Sequence, residues 1–89
     1  MAICRIYEVE GATLDQYDEV DAKFPETPEG AKYHVAGAAN GRLYVVEVWE
    51  SREHIERFME GGLGAAMEEA RIPEPKITEF EVHNEDLAG

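Results

Sequence analysis

The stretch Tyr33–Ser51, YHVAGAANGRLYVVEVWES, holds two β-rich runs that are separated by Asn40 and Gly41. An Asn-Gly pair between such runs is a strong signal for a two-residue hairpin turn, and the turn geometry fixes the register of the flanking strands. With this turn, Ala39 pairs with Arg42. The stretch therefore predicts an antiparallel hairpin with strands over about 31–39 and 42–49.

The predicted register gives the two faces of the hairpin different side chains. It places His34 opposite Glu47 and Lys32 opposite Trp49, so one face has a His-Glu pair beside a tryptophan. Because side chains alternate between faces along a strand, the other face carries a plain packing surface. That surface consists of Tyr33, Val35, Tyr44, Val46 and Val48.

Length and charge limit the classes of partner. The 89 residues suffice for a single domain over 1–89, with a flexible tail expected at 84–89. The formal net charge of -12, from 20 acidic and 8 basic residues, disfavours nucleic acids and anionic membranes. No apolar run approaches the ~20 residues that span a bilayer, and the start lacks the pattern of a signal peptide. We therefore expect a cytoplasmic protein with no nucleic-acid or membrane partner.

The single cysteine, Cys4, excludes an internal disulfide. It lies in an apolar, strand-like run with Ile3 and Ile6, so we expect a small buried core residue and not a reactive nucleophile. A chain of this length buries only a modest share of its surface when it has no disulfide. Association with a second subunit is the remaining route to further stability.

The other elements follow from composition and periodicity. Strand-like runs cover 2–9 and 76–83. Thr13 can cap a first helix, and Ser51 can cap a second helix that is weakened by the glycines of the run 61–64. The order strand, helix, strand, strand, helix, strand predicts an α+β, ferredoxin-like βαββαβ fold. Its antiparallel sheet has the strand order 4-1-3-2, with both helices on one face.

The open face of this sheet is predicted to be apolar. If the small residues Cys4 and Ile6 face the helices, the open face carries larger side chains. These are Ile3, Tyr7, Leu43, Val45, Trp49 and Ile77. Such a face is too apolar to remain in water, so we predict a homodimer in which a second copy covers it.

The run VVEVWESREHIERF at 45–58 and the ending EVHN at 81–84 resemble the dimeric α+β barrel superfamily, and in particular its small antibiotic biosynthesis monooxygenase-like members. The resemblance spans Ile3 to Asn84 and implies two sheets that face each other across a dimer. It also implies a pocket for a small aromatic or polyketide-like molecule, which is oxidised without a bound flavin or metal. The superfamily includes cyclases, isomerases and members without a known reaction, so a non-oxidative enzyme or a non-catalytic ligand-binding dimer are alternatives.

His34 and Glu47 are the candidate catalytic pair. A carboxylate beside an imidazole raises the pKa of the ring and fixes its tautomer, which prepares the histidine to take a proton from a phenol or an enolisable carbon. The resulting anion can pass an electron to dioxygen, and a dry pocket protects the radical pair. The alternative is a cross-strand pair that only stabilises the sheet, by ~0.2 to 1 kcal/mol.

Trp49, Tyr7, Arg5 and His83 are candidate substrate-binding residues. Trp49 is either a wall on which a ligand stacks or a packing residue, and Tyr7 either donates to a substrate oxygen or fills the core. Arg5 either binds a substrate carboxylate or carbonyl oxygen, or pairs with a glutamate at 47, 79 or 81. His83 is either at the pocket mouth or on the surface.

No metal or cofactor is predicted. His34, Glu47 and His83 are the ligand types of a two-histidine, one-carboxylate site, but they lack a short diagnostic spacing. The run GGLGAA lies within a helical pattern and not after a strand, so nucleotide binding is not supported.

Overall fold

The computed structural model describes residues 1–86, so the tail predicted at 84–89 lies partly outside the described residues. The strands are β1 (Ile3–Glu10), β2 (Ala31–Ala39), β3 (Arg42–Trp49) and β4 (Lys76–Glu81). The helices are α1 (Leu14–Asp21), α2 (Arg52–Phe58) and α3 (Gly64–Glu69). The strands form one antiparallel sheet in the order β2-β3-β1-β4, which confirms the predicted ferredoxin-like fold.

The predicted hairpin forms at Asn40 and Gly41, whose φ angles are 53° and 77°. Positive φ at both central residues is what a type I′ turn requires, and it explains the Asn-Gly pair. The strands pair as predicted from the turn to the central polar pair, where His34 lies opposite Glu47.

The predicted register was wrong at one end of the hairpin. An irregularity between Ala31 and Tyr33 pairs Ala31 with Trp49, where we expected Lys32. The extra residue leaves Lys32 exposed, with its ammonium group 2.9 Å from Glu85 Oε2. A β-bulge of this kind re-aims side chains at the end of a ladder without moving the pairs nearer the turn.

Side-chain caps begin α1 and α2. Thr13 forms a capping box with Gln16, and the Ser51 hydroxyl accepts from the backbone N–H at the start of α2. The predicted second helix is split, because a π-type turn over Met59–Leu63 separates α2 from α3 and Gly62 has a φ of 99°. None of the helices within 1–86 has the length and apolar character needed to cross a membrane.

The helices cover the face of the sheet that we predicted to be open. Leu43 and Trp49 are each only 2% exposed, and Trp49 packs against Ile55 of α2. The assignment of the two faces was therefore wrong. The larger apolar side chains of this face bury more area against the helices than Cys4 and Ile6 would, and this decides which face the helices cover.

The opposite face carries β-branched and aromatic side chains, and none of the helices within 1–86 covers them. Val46 pairs with Val35 on β2 and with Ile6 on β1, and Val35 is 65% exposed. Phe80 of the edge strand β4 is 49% exposed. Cys4 is buried on this face, and burial raises the pKa of its thiol, as the predicted packing role requires.

Candidate functional site

A cavity of about 460 Å³ lies between the helices and the sheet. Its wall is mostly apolar, with Leu43 and Val45 from β3 and Phe58 and Met67 from the helical region. The loop residues 25–28 between α1 and β2 also contribute to it. A cavity of this size and character suits a small organic molecule.

The polar centre of the cavity wall is the pair of His34 on β2 and Glu47 on β3. His34 Nδ1 lies 3.3 Å from Glu47 Oε2, and Trp49 Nε1 donates to Glu47 Oε1 at 3.1 Å. Glu47 is only 8% exposed, and a buried charge needs polar partners. Each of its two carboxylate oxygens has such a partner, a side-chain nitrogen. The carboxylate is thereby held in one orientation, with one oxygen directed at the imidazole.

Tyr17 of α1 extends this row of polar groups. Its hydroxyl lies 2.5 Å from His34 Nε2, and the two rings stack with centroids 6.0 Å apart at an interplanar angle of 29°. Because the Glu47 carboxylate only accepts hydrogen bonds, Nδ1 of a neutral His34 carries the proton and Nε2 accepts from the Tyr17 hydroxyl. Tyr17, His34, Glu47 and Trp49 therefore form one continuous row of polar contacts.

Nearby charges and burial shift the pKa values of His34, Tyr7 and Tyr17, and the shifts decide which of these groups can exchange a proton at neutral pH. The hydrogen bond and the negative charge of Glu47 raise the pKa of His34, although burial opposes them. Burial and the Glu47 charge raise the pKa of Tyr7, and burial and nearby carboxylates, led by Asp21, raise the pKa of Tyr17. At neutral pH both tyrosines are therefore phenols that can donate hydrogen bonds, while His34 can gain or lose a proton.

Tyr7 joins the cavity to an ion-pair cluster next to it. Tyr7 lines the cavity, and Arg5 Nη1 donates to its hydroxyl at 3.4 Å. Arg5 Nε donates to Glu79 Oε1 at 2.8 Å, and Arg52 of α2 pairs with the same carboxylate. Of the alternatives that the sequence left open for Arg5, the structure contains the ion pair with Glu79.

The structure brings most of the predicted site residues to one cavity. Its wall includes His34, Glu47, Trp49 and Tyr7. Arg5 is not part of this wall and touches it through Tyr7. His83 follows β4 on the surface and is also not part of the wall.

Tyr17 was not among the predicted site residues. It occupies a helical spacing with Leu14, Val20 and Phe24, which indicated a packing position. Its hydroxyl was the available signal, because a tyrosine that packs against a sheet usually finds a hydrogen-bond partner that the three apolar residues do not need. Within 1–86, no group of three or more His, Cys, Asp or Glu side chains is arranged to hold a metal ion.

The chain matches no known protein-family model, and a comparison with curated proteins finds no match. Solved structures do match. A candidate antibiotic biosynthesis monooxygenase from Chloroflexus aurantiacus has a TM-score of 0.72 at 19% identity, with 100% of both chains covered. A second such candidate, from Deinococcus radiodurans, has a TM-score of 0.72 at 15% identity, again over 100% of both chains.

A mutant of SnoaB, a cofactor-independent oxygenase from Streptomyces nogalater, has a TM-score of 0.66 at 14% identity and covers 94% of this chain and 93% of its own. At such identities the likeness shows the fold and not the activity. It confirms the structural resemblance predicted from the sequence. The chain therefore has the fold of these three solved proteins.

Proposed function

We propose that this protein binds a small aromatic or polyketide-like molecule in the cavity and oxidises it with dioxygen, without a cofactor. The observation that carries the proposal is the close pair of His34 and Glu47, with Nδ1 3.3 Å from Oε2, in the wall of an otherwise mostly apolar cavity. The fold shared with SnoaB, a cofactor-independent oxygenase, supports the reaction class. Trp49 and Tyr7 form part of the wall against which the substrate ring packs.

The proposed chemistry needs a proton acceptor and a dry site. His34 accepts the proton of a phenol or enol, and the Glu47 carboxylate stabilises the imidazolium that forms. The substrate anion passes one electron to dioxygen, and the two radicals combine to a peroxide. The peroxide takes up a proton and loses water, so a CH₂ group becomes a carbonyl group and the substrate supplies all four electrons that reduce dioxygen. The apolar wall excludes the water that would quench the radical pair.

The cavity wall also limits the kind of substrate. It contains the carboxylates of Asp21, Glu26 and Glu47, whereas Arg5 is held by Glu79 outside the wall. A ligand that carries a carboxylate or phosphate would meet like charges there, which is unfavourable. We therefore propose a neutral substrate. Arg5 acts by orienting the Tyr7 hydroxyl, and we propose no contact between His83 and the ligand.

The proposed assembly is a homodimer in which the open sheet faces of two copies pack together. Val35 and Phe80 are 65% and 49% exposed on that face, and Ile6, Val46 and Val48 lie between them. A face of this apolar character favours a covering partner. In such a dimer each subunit keeps its own cavity, because the cavity lies on the opposite side of the sheet.

Oxygen uptake tests the proposed reaction. The neutral tricyclic phenol 1,8-dihydroxyanthrone is a suitable probe, since its CH₂ group can become a carbonyl group. We expect uptake of one oxygen molecule per anthrone, well above the rate without protein and unchanged after treatment with a chelator. Conversion of an enolisable probe without oxygen uptake would indicate a cyclase or isomerase instead. Tight binding without any conversion would indicate a ligand-binding dimer.

A further inference from the structure

We propose that Tyr17, and not His34, contacts the reacting hydroxyl of the substrate, and that Tyr17 passes the proton to His34 behind it. Both ring nitrogens of His34 already have partners, since Nδ1 lies 3.3 Å from Glu47 Oε2 and Nε2 lies 2.5 Å from the Tyr17 hydroxyl. A substrate hydroxyl therefore finds no free nitrogen on the ring. The Tyr17 oxygen donates its own hydrogen to His34 and keeps lone pairs that can accept a second hydrogen bond.

The proton transfer balances without any further reactant. The substrate O–H bond breaks as its proton moves to the Tyr17 oxygen, and the proton of Tyr17 moves to His34 Nε2. The products are a substrate anion, a neutral Tyr17 and an imidazolium next to the Glu47 carboxylate. In the reverse direction the same row returns a proton to a peroxide or an enolate, so the row acts as both base and acid.

The surroundings of the row fit a relay. Burial and the carboxylates of Asp21 and Glu47 raise the pKa of Tyr17, so a lasting tyrosinate is disfavoured and the two proton transfers are coupled. Among residues 1–86, Glu47 from β3 and Tyr17 and Asp21 from α1 act on His34, and the two carboxylates favour the imidazolium. The His34 side chain is 45% exposed, so the imidazolium can exchange its proton with water outside the cavity. The relay thus connects a mostly apolar cavity to solvent.

The relay rests on the proposed function for its substrate class, but it can be tested without oxygen. The anion of 1,8-dihydroxyanthrone absorbs at longer wavelength than the neutral molecule, so an anaerobic titration reports how much of the bound probe is ionised. We expect wild-type protein to ionise the probe at neutral pH. Tyr17→Phe keeps the stacked ring, so it should still bind the probe but leave it neutral. Tyr44→Phe, which removes a hydroxyl on the opposite face of the sheet, is the matched control and should behave as wild type.

The tautomer of His34 gives a second readout that needs no ligand. Nitrogen NMR should find the neutral ring protonated at Nδ1, with an Nε2 signal that shifts in Tyr17→Phe and not in Tyr44→Phe. The relay is overturned if the neutral ring carries its proton on Nε2, if wild-type protein leaves the probe neutral, or if Tyr17→Phe ionises the probe as well as wild type does. If wild-type protein ionises the probe but takes up no oxygen when air is admitted, the relay stands and the oxygenase proposal fails.

Discussion

The indole nitrogen of Trp49 donates a hydrogen bond of 3.1 Å to one oxygen of Glu47, whose other oxygen lies 3.3 Å from His34. The two residues are neighbours on one face of β3, so the strand itself sets the distance between donor and acceptor. Trp49 is therefore more than a hydrophobic wall. It orients the carboxylate that supports the imidazole, and it also packs in the core with Ile55.

Trp49→Phe should destabilise the protein by about 2 kcal/mol, since it leaves a buried carboxylate oxygen without its donor and removes part of a core side chain. Because the chain has one tryptophan, urea unfolding must be followed by circular dichroism and not by fluorescence. Tyr44→Phe, on the other face of the sheet, should change the free energy of unfolding much less. A cost for Trp49→Phe no larger than that of the control would contradict this role.

Glu47→Gln should lower the pKa of His34, because the charge that raises this pKa is removed. Nitrogen NMR of His34 over a pH series measures the shift, and Glu56→Gln on the exposed side of α2 is the control. An equal His34 pKa in wild type and Glu47→Gln would show that the pair does not interact in solution.

The same pair predicts how stability depends on pH. The pKa of His34 is raised in the folded state, so its contribution to stability is fully present below about pH 6.5, the unperturbed value, and is lost as the pH rises through the folded value. Glu47→Gln removes this contribution. The free energy of unfolding that the variant loses through the His34–Glu47 pair should therefore be larger in mildly acidic than in alkaline solution. Unfolding curves at several pH values measure it, and a difference that grows with pH would contradict the assignment.

The hairpin and the elements around it were predictable because their signals are local. Asn40-Gly41 sets the turn and so the pairing of His34 with Glu47, and caps mark the starts of α1 and α2. The face that meets the helices was not predictable in this way, because both faces of β3 are apolar enough to be buried. The larger area that Leu43 and Trp49 bury against the helices decides between them, and contacts such as that of Trp49 with Ile55 depend on the whole fold.

The role of Tyr17 in the site was also not predictable from local sequence signals. Its helical spacing correctly indicates a side chain that faces the sheet, but no local pattern tells that α1 crosses β2 at His34. The bulge near Lys32 also has no local signal, since it depends on how the strand end meets the loop before it. Contacts between elements that are distant in sequence therefore account for what the sequence did not reveal.

Gly30→Ala should destabilise the protein more than Gly11→Ala does. Both glycines have positive φ, 86° and 81°, so an added side chain strains the backbone equally at the two positions. A Cβ at Gly30 would also overlap the ring of His54, whereas one at Gly11 would have no atom of the described residues within 4 Å apart from its chain neighbours. We expect the two variants to differ by about 1 kcal/mol or more in the free energy of unfolding. Equal losses of unfolding free energy for Gly30→Ala and Gly11→Ala in urea would show that the loop at Gly30 moves away from His54 without a penalty.

Val46→Glu should convert the proposed homodimer to a monomer, because it places a charge in the centre of the open sheet face. Light scattering should give twice the chain mass of 10.0 kDa for wild type and the chain mass itself for the variant. Leu14→Glu, which adds the same charge at a half-exposed apolar position of α1, is the control and should stay dimeric. A wild-type protein that is monomeric at micromolar concentration would reject the proposed assembly.

The rate of oxygen uptake with 1,8-dihydroxyanthrone, compared between wild type and His34→Gln, tests whether His34 removes the substrate proton. Glutamine keeps a polar side chain at this position but cannot accept a proton, so we expect the rate to fall about 100-fold or more while the circular dichroism spectrum is unchanged. A folded His34→Gln protein that takes up oxygen at the wild-type rate would show that His34 and Glu47 do not remove the proton that starts the reaction.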